Sequence, residues 1–427
     1  MMSEEMSEAA LITQAEAMRR MVEVLERASI LAVDTESNSL HAYQEQVCLI
    51  QFSTAQEDYL VDPLALEDLS PLGRLFGNPE IEKVFHAAEY DLLCLHRDFG
   101  LEVTNLFDTM IAGRILGHNE LGLGAMLEAE LGVTLDKRYQ RANWGQRPLP
   151  EHLIDYARLD THYLIALRDR LQVELVERGL LSLAQEDFRM ASAKSSNNRA
   201  ADMGADRNEA TADGERPAVF ERPANDDRPA VVERPVDCWR ISGAYDLPAQ
   251  QAAVLLELCR YRDEMARKLD RPLFKVINDQ TLLAIATELP KKLDKLGDLP
   301  GMSPNQIRRH GQQLLRAVKK GLQARPVYPV RSRRPDERFS ERLEALRNWR
   351  KNLAAEIGVG SDVILPRDLM ISLAEKGPRT PSELKEAMEA APWRLEHFGE
   401  QILEAITKEC ANPSQEGKDF LTADGTG

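Results

Sequence analysis

The sequence predicts an α/β domain built on a mixed sheet flanked by helices, followed by two all-α domains. Three observations predict it. Helix and strand patterns alternate from about residue 14 to residue 105. The composition changes abruptly between residues 192 and 237, and the C-terminal half then repeats itself at a spacing of 88 residues. A length of 427 residues exceeds one ordinary core and suggests roughly two to three domains.

The elements follow in order. Ala15 to Arg27 has helical spacing, and Ile30 to Glu36 is an apolar run that ends in acidic residues. Val47 to Thr54 reads as a second strand, with Cys48, Ile50 and Phe52 expected on one side, and Asp58 to Val61 as a third. Leu69 to Phe76 reads as helix, Lys83 to His86 as a short strand, and Tyr90 to Arg97 as the start of another helix. Past residue 105 the pattern is mostly helical. Asp108-Thr109 is placed to cap MIAGRILG, and the run from about Glu151 to Arg178 is long and amphipathic. The first domain is expected to span residues 1–190.

Residues 191–240 are rich in Ser, Asn, Ala, Asp and Pro, with a repeated Arg-Pro step that favours extended backbone. They read as a semi-flexible linker, either a solvated spacer or a docking strip. Beyond it, adding 88 carries Leu255, Leu258, Tyr261 and Arg262 onto Leu343, Leu346, Trp349 and Arg350, and Gly311 onto Gly399. Two copies of one helical module are therefore expected, over 241–325 and 326–410, before a disordered tail at 411–427.

The bulk composition is that of a globular protein, with 43% apolar and 29% charged residues. A net charge of −16 means that any nucleic acid must meet a local basic surface. Five widely separated cysteines without a CxxC argue against a disulfide framework and a zinc site. The acidic N-terminus lacks a signal-peptide layout, and no apolar run approaches the ~18 residues of a membrane span, so the cytoplasm is the expected compartment.

The chemistry concentrates in five residues: Asp34 and Glu36 in LAVDTES, Asp91 in FHAAEYDLLCL, and Tyr156 and Asp160 in DYARLDTHYL. Strand alternation puts Asp34 and Glu36 on one face, and helical spacing does the same for Tyr156 and Asp160. Carboxylates at this density repel one another unless cations intervene, and hard oxygen donors suit Mg²⁺ or Mn²⁺. Phosphoryl transfer is the chemistry that uses such a cluster. Singly, each residue also has an ordinary structural role: a polar strand end, an acid in a helix's first turn, a surface aromatic.

The order and spacing of these motifs resemble the DEDDy branch of 3′-5′ exonucleases. HAYQEQVCLIQFS after the first motif and TLDKRYQRANW before the third are similar to ribonuclease D. The resemblance implies a ribonuclease H-like exonuclease fold and two divalent metal ions held by Asp34, Glu36, Asp91 and Asp160, with Tyr156 orienting the attacking water. It implies a 3′-5′ exoribonuclease releasing nucleoside 5′-monophosphates, with tRNA precursors bearing 3′ extensions as the RNA partner. A DNA exonuclease and a non-catalytic RNA-binding scaffold are the competing readings.

Both repeats resemble the HRDC domain, a helical nucleic-acid-binding module; in the second, Arg271-Pro272-Leu273-Phe274 is replaced by Val359-Gly360-Ser361-Asp362. From Ser303 to Pro335 there is no acidic residue, while Arg308, Arg309, Arg316, Lys319, Lys320, Arg325, Arg331, Arg333 and Arg334 are all basic. Phosphate contact is the expectation there, against a solvated helix end. Three further residues stay open: His86 as a core histidine or a site contact, Gln51 as a groove residue or a backbone partner, and Trp144 as a base-stacking ring or a core anchor.

Overall fold

The computed structural model describes residues 10–136, 138–204, 236–329 and 336–409. They fall into two compact units, one of residues 10–37, 47–203 and 336–409, the other of residues 38–46, 204 and 236–329.

The first unit is built on a six-stranded mixed sheet. Its strands are β1 (Ala10–Ile12), β2 (Ile30–Ser37), β3 (Val47–Ser53), β4 (Asp58–Val61), β5 (Glu82–Phe85) and β6 (Leu106–Asp108), in the order β1-β4-β3-β2-β5-β6. β3 runs antiparallel to β2 and β4, whereas β5 is parallel to β2 and β6, and β1 to β4. Around the sheet lie α1 (Ala15–Leu25), α2 (Gly73–Phe76), α3 (Glu89–Phe99), α4 (Thr109–Leu116), α5 (Leu123–Leu131), α6 (Glu151–His162), α7 (Leu164–Glu177) and α8 (Leu181–Gly204). Val33, Phe52, Val84 and Phe107 form the core on one face, with Leu167 and Leu171 of α7.

Several local expectations change. β1 and β6 carry only three residues each, too few for a periodic signal. The 151–178 run is two helices, which meet at Tyr163, the cap of both, at φ −98° and ψ −3°. α8 continues to Gly204, so the composition boundary at residue 190 falls inside a helix. Cys48 does not share a side with Ile50 and Phe52. The β2–β3 register slips between Glu36 and Ser37, which puts Val47 with Ile50 and Phe52 in the main core and turns Cys48 to the other face with Leu49. The rest of the 191–240 linker lies, for residues 205–235, outside the described residues, as does the 411–427 tail.

The second helical repeat belongs to this same unit: α14 (Glu337–Ile357), α15 (Ser361–Ile364), α16 (Arg367–Lys376), α17 (Pro381–Ala387) and α18 (Pro392–Glu409). Arg394 at its α18 is completely buried and joins it to α8. The guanidinium donates to Glu186 Oε1 at 2.7 Å and to both Asp187 oxygens at 2.7 and 3.1 Å. Its remaining donors reach the carbonyls of Ile364 and Val363.

The other unit holds the first repeat: α9 (Ala249–Leu269), α10 (Leu273–Val276), α11 (Asp279–Glu288), α12 (Leu293–Gly297) and α13 (Pro304–Gln323). Its internal bonds reproduce those of the second repeat in the 88-residue register. Arg262 donates to the Ile277 carbonyl as Arg350 does to that of Leu365, and Gln306 donates to Val276 where Arg394 donates to Ile364. Edge-on rings pair Tyr261 with His310, and Trp349 with Phe398, both at 70°. The loop of residues 38–46 packs in this unit, with Tyr43 Oη donating to Asp263 at 2.7 Å.

Candidate active site

β2 reaches the site as a buried strand whose last turns carry acids. Opposite it, Asp34 pairs with Gln51 and Glu36 with Leu49, so these four side chains leave the sheet on one face. That face is covered by α6, whose Tyr156 and Ala157 pack with Leu49 and Leu60. Asp160 lies one turn beyond Tyr156 on the same stripe.

α6 is fixed to the sheet by polar contacts that join the third motif to Ser53 and Asp58. Asp58 accepts from Ser53 Oγ at 2.6 Å, bonds His162 Nδ1 at 2.8 Å and faces Arg158 at 3.7 Å, while Ser53 and Thr161 hydroxyls meet at 2.7 Å. The approach to α6 is held by Arg147, whose guanidinium spans both oxygens of Asp62 at 2.6 and 2.7 Å and also donates to the Cys48 carbonyl.

Asp91 enters from the first turn of α3. Thr35 Oγ1 donates to it from β2. Asp108 sets the turn ahead of it: one oxygen caps α4 at Met110 and Ile111 N–H, and the carboxylate also accepts from Ala87 and Ala88 N–H. Ala87 takes φ 62°, so these bonds hold a left-handed turn in a residue that has a Cβ.

The groups shift one another's titration. Burial first, then Asp91, Asp160 and Glu36, push the Asp34 carboxyl well above its ordinary 3.8. Glu36 rises through burial, then through Asp160 and Asp91. Burial lifts Asp91 and Asp160 each to about 7. Tyr156 is raised by burial and then by Asp160, Glu36 and Asp34, so its phenol stays protonated at neutral pH.

Among the described residues, no three His, Cys, Asp or Glu side chains are placed so as to hold a metal ion together. The donor set nevertheless suits hard cations. Asp91 is buried and Asp34, Glu36 and Asp160 are half-buried, each with its charge disfavoured, and Gln51 is wholly buried opposite Asp34 with neither amide atom hydrogen-bonded. A cation with its water shell would answer both the excess charge and the orphaned amide.

Other expectations resolve by position. Trp144 is 1% exposed and its ring lies 6.1 Å from that of Tyr156, so it is a core anchor and unavailable for base stacking. His86 bonds Thr109 Oγ1 at 2.9 Å, and burial lowers its pKa. Arg308, Arg309, Arg316, Lys319 and Lys320 are exposed on α13 within an arc of about 120°, and Arg325 is exposed just beyond it. Lys320 is committed to Glu257 at 2.7 Å. Arg331, Arg333 and Arg334 lie outside the described residues.

Asp58, Asp108 and Arg147 contact the site's elements without having been singled out by motif spacing, whereas Gln51 stood open between groove and backbone. Of those three, only Asp108 carried a readable signal, as a helix cap, and its second role depends on a turn some 20 residues away in sequence.

Residues 9–176 match the 3′-5′ exonuclease family, and residues 251–318 and 339–406 each match the HRDC domain. The catalytic core of RRP6 from Trypanosoma brucei is 30% identical with a TM-score of 0.56, over 75% of this chain and 82% of that one. Escherichia coli RNase D, an exoribonuclease involved in structured RNA processing, is 26% identical with a TM-score of 0.62, over 94% of this chain and 99% of that one. The exosome complex exonuclease RRP6 of Saccharomyces cerevisiae is 31% identical over 71% of this chain and 39% of its own length. The chain spans about a third to a half of the length of the yeast and Arabidopsis thaliana relatives it matches. No helix among the described residues is long and apolar enough to cross a membrane. The chain belongs to the ribonuclease D/Rrp6 family of 3′-5′ exoribonucleases, with an exonuclease domain followed by HRDC domains.

Proposed function

We propose that this chain is a metal-dependent exoribonuclease that removes nucleotides one at a time from the 3′ end of structured RNA, with 3′-extended tRNA precursors as substrate. The observation that carries the reading is the convergence of Asp34, Glu36, Asp91, Tyr156 and Asp160 where α6 covers the end of β2. Asp34, Glu36, Asp91 and Asp160 would hold two divalent cations, Mg²⁺ or Mn²⁺. Bound there, such ions acidify water and neutralise charge at the scissile phosphate.

The chain's own groups have separate tasks. Tyr156, protonated and backed by the rings of Tyr139 and Trp144, donates a hydrogen bond that orients water in line with the bond to be broken. Its raised pKa makes it a poor base, so it positions and does not abstract. Water adds to phosphorus, the bond to the preceding 3′ oxygen breaks, that oxygen takes up a proton, and a nucleoside 5′-monophosphate leaves. The exposed cations of α13 would meet RNA phosphates.

Asp34→Ala is expected to abolish degradation of a 3′-tailed tRNA while leaving RNA binding within a few-fold of the parent. Degradation at the parental rate would remove the assignment. A matched DNA tail, trimmed as fast as RNA, would instead point to the DNA exonuclease reading.

A further inference from the structure

Gln51 sits in the middle of β3, a central strand whose seven residues are all buried. Among the described residues it is the one amide with both polar atoms enclosed and neither hydrogen-bonded. Methionine would fill a similar volume there with no polar group to satisfy, so the fold gains nothing from the amide and loses stability by enclosing it. The polar groups beside it are already engaged. Ser53, two residues along the same face, bonds Asp58 at 2.6 Å and Thr161 at 2.7 Å, and Asp58 is shared with His162.

The ladder limits which group the amide can serve. Its partner on β4 is Leu60, whose side chain forms no hydrogen bond, and its partner on β2 is Asp34. Directly opposed residues of an antiparallel pair hold their Cβ atoms about 4.5–5.5 Å apart, against about 7–8 Å for the diagonal that leads to Glu36. Asp34 is therefore the nearer acceptor. Tyr156 and Ala157 of α6 cover this face with Leu49 and Leu60, and Gln51 is 0% exposed, so it acts on the site's own groups and meets no substrate.

We propose that Gln51 is a positioning residue of the cation site, whose amide N–H donates to the Asp34 carboxylate and fixes the orientation in which that carboxylate holds divalent ions. The bond belongs to the loaded site, since neither amide atom is bonded in the chain alone. The role rests on the exoribonuclease reading, which supplies the ions. An amide suits the position because it orients a carboxylate without neutralising it; a lysine or arginine would compete with the ions for the same charge.

The test is Mn²⁺ binding by the full chain, read by titration calorimetry with no RNA present. Gln51→Met and Gln51→Leu remove the donor and leave the position apolar, and each should weaken Mn²⁺ binding roughly 10- to 100-fold. Melting in chelator should hold or rise in at least one of the two, because an unbonded amide has left the core. KM for a 3′-tailed RNA at saturating Mn²⁺ should not change. Parental Mn²⁺ affinity in both variants overturns the proposal. So does a lower melting temperature in chelator for both, which would mean that Gln51 acts through the fold. A raised KM would make Gln51 a substrate contact and overturn it as well. A parent that binds Mn²⁺ but degrades no RNA would instead sink the proposed function and leave the role of Gln51 standing. A parent that degrades RNA while both variants bind Mn²⁺ as tightly as it does would do the reverse.

Discussion

Asp160→Asn should make the metal-free protein more stable while destroying its activity. Burial raises the Asp160 carboxyl from 3.8 to about 7. Below pH 3.8 the group is protonated in both folded and unfolded chains and costs nothing. As pH rises toward 7 the unfolded chain ionises freely while the folded one resists, so stability falls until the folded pKa is passed. The gap between 3.8 and about 7 corresponds to about 4 kcal/mol. That figure is an upper bound, because neighbouring carboxyls share the titration. Asparagine keeps the shape and removes the charge. In chelator at about pH 8, the exonuclease transition of Asp160→Asn should therefore rise by roughly 2–4 kcal/mol, on the order of 10 °C. The difference should vanish at about pH 4, where protons already neutralise the parent. Excess Mg²⁺ should raise the parent's transition at the higher pH and move the variant's much less. Calorimetry across this range reads all three conditions in both proteins. A variant that melts at or below the parent at the higher pH in chelator would refute the idea that crowded, buried charge defines the site.

Two further outcomes follow from neighbouring contacts. Tyr156→Phe keeps the ring beside Tyr139 and Trp144 but removes the hydroxyl, so kcat for a 3′-tailed RNA should drop on the order of 10²-fold with little change in KM; an unchanged kcat would reduce Tyr156 to a packing ring. Arg394→Met leaves Glu186 buried without its partner and should cost about 3–5 kcal/mol, read as faster hydrogen exchange across residues 336–409. Adding Glu186→Gln should recover part of it, and a single-variant loss below ~1 kcal/mol would mean the contact contributes packing alone.

The sheet and the acids at its edge were legible in sequence because an apolar run that stops in alternating carboxylates leaves few other folds for β2. The duplication was legible because apolar helix stripes survive divergence in register, as Leu255 and Leu343 do. Illegible features depend on partners distant in sequence or on a one-residue offset. The slip at Glu36 turns Cys48 over without any local mark, since Cys suits either face. An arginine is ordinarily a surface residue, and nothing near Arg394 announces two acids more than 200 positions earlier. Gln51 sat in a strand pattern as one polar residue among apolar ones, and its meaning depends on Asp34 across the ladder.

Gln306 and Arg394 occupy one position in two copies and satisfy the same loop carbonyl. A glutamine amide has two N–H groups for that task and a guanidinium has five. The surplus is what lets Arg394 reach Glu186 and Asp187 while still holding its own repeat together. A duplicated module can therefore change its allegiance at a single side chain without surrendering any bond its own fold requires. Withdrawing arginine at 394 gives a protein engineer a handle on whether the second copy stays tethered.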